Sequence, residues 1–300
     1  MQINMIRSDK VYQEMLELPL EKREGCFRAK ILAPFAMKYQ TQHIPLKAKY
    51  PGGFDALFLL GFMNQLPSTL SEKDRPAIDS LSSDRLWQDC QDTIKRSIGL
   101  FEQAGYDLDV EDYHFTILLG NPEKPMLQLN KGYSGDGGIP GYLMLSLLPN
   151  DYTLPRVQAA LAHECNHNVR FQFVKWNQQT TLADWVVSEG LAESFAAELY
   201  GKELIGPWVT STSPEQLEEI KPIISSQLQL TGMAEMAPYL YGDEIAELQG
   251  QIRVGMPYAA GYAYGYHLIQ AYLKNTGKSI IEATVTPTAE ILEATKDFWK

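Results

Sequence analysis

Two histidines and a glutamate in the segment LAHECNHNVR, residues 161–170, have the spacing of a metal site. His163 and His167 are four residues apart, and Glu164 follows the first histidine directly. The surrounding segment PRVQAALAHECNHNVRFQFV begins at Pro155 and then runs without glycine or another proline, which predicts one helix. At about 100° per residue, both imidazoles lie on one helix face and reach a single ion, while Glu164 projects beside it. This H-E-x-x-H arrangement predicts zinc ligands at His163 and His167 and a general base at Glu164.

Catalytic zinc usually takes three protein ligands and keeps one position for water, so a third ligand is expected. The segment TTLADWVVSEGLAESFAAELYG predicts a second helix, which begins at a capping box of Thr181 and Asp184 and stops at Gly201. Glu189 and Glu193 share one face of that helix. We expect Glu189 to be the third ligand, and Glu193 to accept the free ring N–H of a zinc-bound histidine.

Other interpretations of these residues remain open. The two histidines could face solvent without a metal. Glu189 and Glu193 could belong to a solvated helix surface, although the apolar neighbours of Glu193 make an unpaired carboxylate costly there. Cys165 could be a ligand, but it lies about 200° around the helix from His163, on the far side.

The rest of the chain predicts an α+β architecture. Residues 1–110 contain helix-spaced apolar segments such as DRLWQDCQDTIKRSIGLFEQAG, so we expect a mainly helical N-terminal region there. Residues 111–300 are expected to form the domain that carries the site. Its segments YHFTILLG and GYLMLSLL are short, apolar and bounded by turn-forming residues, as strands are. Between them, NKGYSGDGGIPG lacks the spacing of a nucleotide-binding loop and predicts a turn beside a strand.

The motif and its surroundings resemble known metallopeptidases. H-E-x-x-H followed by a glutamate in E-x-x-x-[DE] is similar to the gluzincin family, of which thermolysin is a member. HECNHNVR together with SEGLAESFA resembles more closely a family of predicted bacterial zinc-dependent proteases long catalogued as a domain of unknown function. The segments GGIPGYLMLSLLPNDYTLP and MPYAAGYAYGYHLIQAYLKNTGKSI extend this resemblance over about residues 110–285.

This resemblance implies a thermolysin-like core, in which a small mixed sheet accompanies the active-site helices. It also implies that His163, His167 and Glu189 bind one zinc ion per chain and that Glu164 is the general base. Where thermolysin-like enzymes have an aspartate one turn after the ligand glutamate, this chain has Glu193.

Hydrolysis of an amide places negative charge on the carbonyl oxygen, and hydrogen-bond donors stabilise that charge. The segment YAAGYAYGYH offers donors, of which we expect Tyr262 first and His267 second to be catalytic. Gly261 and Gly265 would let their helix approach the zinc helices closely. Each tyrosine could instead be a core residue.

Two further features concern the binding of a substrate. The strand GYLMLSLL could offer a free edge to an extended peptide or could lie inside the sheet, and the sequence leaves both open. Arg170, three residues after His167, is expected to pair with a carboxylate and not to touch the substrate.

Charge and composition limit the partners. The chain has 37 acidic and 26 basic residues, a formal net charge of −11, which repels phosphate backbones and anionic lipids. The longest apolar run, ALFLLGFM, is too short to cross a bilayer. We therefore expect neither nucleic acid nor a membrane as a partner. The amino terminus lacks the apolar region of a secretory signal and the three cysteines are scattered, so a cytoplasmic location is expected.

Together these features predict a zinc-dependent peptidase that acts on peptides or proteins. An alternative is a zinc-containing peptide-binding or regulatory protein, built on a peptidase scaffold, with little turnover. Hydrolysis of a non-peptide amide or ester is a third interpretation, because the same ligands would serve it. The sequence alone leaves all three open.

Overall fold

A computed structural model describes residues 1–299 of the chain and contains one small mixed sheet. Its strands are β1 Gln2–Met5, β2 Asp112–Leu119, β3 Tyr133–Asp136 and β4 Tyr142–Leu147. They lie in the order β1-β2-β4-β3, with β2 parallel to both β1 and β4, and β3 antiparallel to β4. In the register of the two central strands, His114 lies opposite Tyr142 and Leu119 opposite Leu147.

Helices make up most of the remaining structure, which confirms the predicted α+β class. The α-helices are α1 Ser8–Glu17, α2 Leu20–Phe27, α3 Ala36–Thr41, α4 Ala56–Leu60, α5 Arg75–Leu81, α6 Asp84–Gln103, α7 Pro125–Leu129, α8 Val157–Phe173, α9 Leu182–Tyr200, α10 Pro207–Thr210, α11 Pro214–Ser226, α12 Met233–Tyr241, α13 Asp243–Leu248, α14 Ala260–Thr276, α15 Ile280–Val285, α16 Thr288–Ala294 and α17 Lys296–Trp299. Among residues 1–299, no helix combines the length and the apolar character that a membrane crossing requires.

The sheet differs from the sequence prediction at two places and decides between two open alternatives at a third. β1 lies in the N-terminal region that was expected to be helical, because four residues are too few to show a strand period. β3 occupies part of the glycine-rich segment that was expected to be only a turn. β4, the segment GYLMLSLL, lies between β2 and β3, so the edge next to it belongs to β3. The suggestion that β4 offers a free edge is therefore wrong.

The chain divides into two compact units, of which the first comprises residues 1–96 and 109–164. This unit contains the sheet, whose central strands bury Phe115, Ile117 and Leu143 completely. Helix α1 packs on β2 through the Tyr12 hydroxyl, which accepts a hydrogen bond from the Leu119 backbone N–H at 3.2 Å.

The second unit comprises residues 97–108 and, of the described chain, residues 165–299. It contains all of α9 and α14, whereas the boundaries after residues 96 and 164 fall inside α6 and α8. The sequence-based division into residues 1–110 and 111–300 stays a prediction.

Helix α9 begins and ends where the sequence predicts. The Thr181 hydroxyl accepts a hydrogen bond from the Asp184 N–H at 3.2 Å, and the Asp184 carboxylate accepts one from the Thr181 N–H at 2.9 Å. At the other end, Gly201 adopts a positive φ of 101°, which few other residues tolerate. Between these ends α9 is apolar on nearly every side and buried, as a helix at the centre of a unit must be.

Two glycines allow α9 and α14 to touch through their backbones. A Cβ at Gly265 would collide with the carbonyl oxygen of Val186, and a Cβ at Gly190 would collide with the carbonyl group of Gly265. The predicted close approach is therefore confirmed for Gly265. Gly261 instead allows α14 to approach α12, where a Cβ would collide with Leu240.

Candidate metal centre

His163 and His167 on α8 and Glu189 on α9 form a compact group of side chains. Their ligand atoms all lie within 4.8 Å of one another, and all three residues are buried. Within this group, Nε2 of His167 lies 3.2 Å from Oε2 of Glu189. This group could bind a metal ion.

The chemistry of the donor set fits zinc. Two imidazole nitrogens and one carboxylate oxygen are ligands that zinc takes in catalytic sites, where three protein ligands leave one position open. Glu189 is only 8% exposed, and a buried carboxylate without partners would be costly. The partners of Glu189 include His167, 3.2 Å from Oε2, and the Trp185 indole, whose Nε1 donates to Oε1 at 3.3 Å.

The helical period explains how the ligands come to share one face. α8 runs unbroken from Val157 to Phe173, so His163 and His167 stand one turn apart on the same side. The capping box at Thr181 fixes the start of α9 and therefore the rotation at which Glu189 leaves that helix.

Glu164 lies against the edge strand β3. It is buried, and two glycines make room for it: a Cβ at Gly135 would collide with the Glu164 side chain, and one at Gly137 with the Glu164 backbone. Gly135 and Gly137 are not among the site residues that the motifs predict. The signal that could have identified them is the glycine-rich composition of the segment just before β4, which by itself predicts a turn.

Glu193 is buried, and its carboxylate accepts two hydrogen bonds from the segment that follows α9. Its Oε1 accepts the Gly206 backbone N–H at 2.5 Å, and its Oε2 accepts the Trp208 indole N–H at 2.8 Å. Glu193 thus ties α9 to the start of α10. The solvated-surface interpretation of Glu189 and Glu193 is wrong, and the expected bond from Glu193 to a zinc-bound histidine stays a prediction.

Tyr262 and His267 lie on α14, five residues apart and therefore about 140° apart around the helix. The Tyr262 ring packs against Tyr241 and Trp208, at centroid distances of 6.1 and 6.2 Å. His267 packs against the Tyr266 ring, and burial lowers its pKa, with a smaller contribution from the charge of Lys221. The two side chains thus have different surroundings, and the catalytic role of each stays a prediction.

Arg170 does not pair with a carboxylate, contrary to expectation. Among residues 1–299, no acidic group lies within ion-pair distance of it. Its fully buried guanidinium donates instead to the Ser188 hydroxyl, to the backbone carbonyls of Thr284 and Thr286, and to the Thr288 hydroxyl. No local pattern predicts these acceptors, because Ser188 lies on the next helix and the three threonines are more than a hundred residues away along the chain.

Comparison with known proteins identifies the family. A family model described as "Predicted Zn-dependent protease (DUF2268)" matches residues 86–293. The chain belongs to this family. The match confirms the resemblance to predicted zinc-dependent proteases and begins within α6, ahead of the resemblance found from the motifs.

Two proteins of Bacillus subtilis (strain 168) are similar to this chain in sequence. "Uncharacterized protein YjfC" is 34% identical over 285 residues, which cover 95% of each chain. "Uncharacterized protein YjaZ" is 27% identical over 155 residues, which cover 50% of this chain and 55% of the relative. No solved structure matches the chain, so the thermolysin-like fold stays a prediction.

Proposed function

We propose that this protein is a zinc-dependent peptidase, with one zinc ion per chain held by His163, His167 and Glu189. The single observation that carries the proposal is the convergence of their three buried ligand atoms within 4.8 Å. The description of the family as predicted zinc-dependent proteases supports the same function.

Zinc, when bound, supplies Lewis acidity that lowers the pKa of water and polarises a carbonyl. Glu164 then performs the proton transfers. Its carboxylate accepts the proton of the attacking water, and the same carboxyl group returns that proton to the nitrogen of the leaving amine. Its place next to His163 on α8 favours this double role.

The edge strand β3 is our candidate for holding the substrate, in place of β4. Among residues 1–299, β3 pairs with β4 and with no other strand, and its Gly135 touches the Glu164 side chain. An extended peptide that added to β3 as a further strand would therefore pass close to the general base. This mode binds through the backbone and so permits varied side chains.

Tyr262 is our candidate donor to the developing oxyanion, ahead of His267. The Tyr262 ring contacts Tyr241, and Tyr241 in turn contacts Trp185, which donates to Glu189. The His267 ring instead packs against Tyr266, and the charge of Lys221 on α11 contributes to lowering its pKa.

Replacing Glu164 by Gln tests the function. The amide keeps the shape of the side chain but accepts no proton, so we expect one zinc per chain and peptide cleavage reduced by about 10²–10⁴-fold. Zinc is measured by elemental mass spectrometry on untagged protein, and cleavage by mass spectrometry of a mixed peptide library. Glu198→Gln, at an exposed position on α9, is the matched control and should keep both properties.

Three outcomes would contradict the proposal. Undiminished cleavage by Glu164→Gln would rule out Glu164 as the general base. A wild-type chain that binds no zinc would end the metallopeptidase proposal altogether. A wild-type chain that binds zinc and peptides but cleaves none would favour the binding or regulatory alternative.

A further inference from the structure

The two oxygens of the Glu189 carboxylate have different surroundings. Oε2 lies 3.2 Å from Nε2 of His167, within the proposed ligand group. Oε1 accepts a hydrogen bond from the Trp185 indole N–H at 3.3 Å. We propose that Trp185 is a positioning residue, which holds Oε1 and thereby presents Oε2 to the metal. This inference rests on the proposed function, in which Glu189 is a zinc ligand.

Trp185 is itself held firmly. It is 6% exposed and lies one turn before Glu189 on α9. Trp176 and Tyr241 meet its ring edge to face, at centroid distances of 5.4 and 5.5 Å and interplanar angles of 86° and 89°. Such contacts are favourable for aromatic rings and restrict rotation of the indole. The N–H group therefore points at Glu189 from a fixed position.

The same aromatic group reaches the second ligand. Phe171 stacks on the His167 imidazole, with centroids 5.7 Å apart and planes inclined by 10°. The Phe171 ring also meets Trp176 edge to face at 6.0 Å. We call Phe171, Trp176 and Trp185 the aromatic clamp. The clamp connects a ligand on α8 with a ligand on α9, so it orients both through one set of packed rings.

If Trp185 had a purely structural role, its replacement would have a different effect from that expected for a positioning residue. A core tryptophan that only fills space would, when replaced, lower stability without changing the affinity for metal. A hydrogen-bond partner of a metal ligand affects metal affinity, typically by 10–100-fold. Zinc affinity measured beside metal-free stability therefore separates the two roles.

The test is Trp185→Phe, which keeps an aromatic ring and removes the donor. We expect its dissociation constant for zinc to rise by about 10–100-fold in competition with a chromophoric chelator. Trp87→Phe is the matched control, because Trp87 is also buried and donates its indole N–H, at 2.8 Å, to the Leu81 carbonyl. It should keep the wild-type zinc affinity. Urea unfolding in EDTA gives the metal-free stability of both variants.

If Trp185→Phe fails to fold, NMR of the wild-type protein with and without zinc still tests the proposal. The chain has five tryptophans, whose indole N–H signals can be followed by NMR after ¹⁵N labelling and assigned with Trp→Phe variants at the other four positions. Stoichiometric zinc should shift the Trp185 signal and leave that of Trp87 in place.

The outcomes separate this inference from the proposed function. Wild-type zinc affinity in Trp185→Phe, or a Trp185 signal that zinc does not move, would overturn the positioning role while the peptidase proposal stands. A wild-type chain that takes up no zinc would overturn both.

Discussion

Arg170 is a fully buried guanidinium whose partners are all neutral. Burial lowers its pKa to about 10, partly offset by the charge of Asp184, so it stays protonated at neutral pH. The guanidinium group is a rigid, planar fork of N–H donors. It therefore donates at the same time to an acceptor on α9 and to one in the segment after α15. Ser188, one of these acceptors, directly precedes Glu189. Arg170 therefore helps to hold α8 and α9 in the relation that the ligands require.

Arg170→Lys keeps the charge but loses the fork. A lysine cannot satisfy all four acceptors, and each buried acceptor left without a donor costs about 1–3 kcal/mol. We therefore expect a clear loss in the free energy of unfolding, measured with urea in EDTA. Arg85→Lys, at an exposed side chain, is the control and should be neutral. Equal stability of Arg170→Lys and the wild type would show that the fork is dispensable.

His267 should make the protein less stable in mild acid. Because burial lowers its pKa in the folded chain, the unfolded chain binds more protons once the pH approaches the ordinary value of about 6.5. The free energy of unfolding then falls as the pH falls. His267→Gln removes this contribution, so between pH 7.5 and pH 5.5 it should lose less stability than the wild type. Urea unfolding in EDTA at both pH values measures this, and an equal loss in both proteins would contradict it.

Among the elements, α9 and α14 show how glycine decides the distance between helices. With no Cβ at Gly190 or Gly265, the two backbones come into direct contact. This approach places the helix of Tyr262 beside the helix of Glu189. The sequence predicted the closeness from the glycines of α14. It did not predict that Gly261 lies against α12. The spacing of glycines indicates a close contact with another element but does not identify that element.

Gly265→Ala should separate these helices. The added methyl group has no space beside the Val186 carbonyl, and overpacking of this kind costs about 1–3 kcal/mol. Gly25→Ala is the control, because Gly25 lies inside α2 with nothing within 4 Å of a Cβ. It should be neutral or stabilising by up to about 1 kcal/mol through helix propensity. Urea unfolding in EDTA compares the two, and equal effects would show that the helix contact is not tight.

For the whole molecule, the ligand group joins helices that are separate in sequence, so metal binding should be linked to global stability. The expectations of a cytoplasmic location and of no nucleic-acid or membrane partner stay predictions. The net charge of −11 favours the prediction that nucleic acid is not a binding partner, because a negatively charged protein repels a polyanion.

Zinc removal should therefore lower the unfolding temperature. A ligand that binds only the folded chain stabilises it by about 2.7 kcal/mol at a free concentration one hundred times its dissociation constant. We expect calorimetry to show a lower unfolding temperature in EDTA and recovery on adding zinc. His163→Ala, which lacks one proposed ligand, should show a much smaller response. A wild-type chain indifferent to both treatments would argue against a bound metal.

The sequence by itself determined what is local in this protein. The spacing of His163 and His167 and the capping box at Thr181 follow from residues within one helix or at its start, where the helical period fixes geometry. The family motif is likewise visible in the sequence, as short segments of two consecutive helices. Only the tertiary structure decided that β3 and not β4 forms the edge, and that Arg170, Glu193 and the indole of Trp185 have their particular partners. Those partners lie on segments that only tertiary packing brings together, and no helical or strand period connects them. A sequence pattern can therefore indicate that a buried polar group needs a hydrogen-bond partner, but it cannot identify that partner.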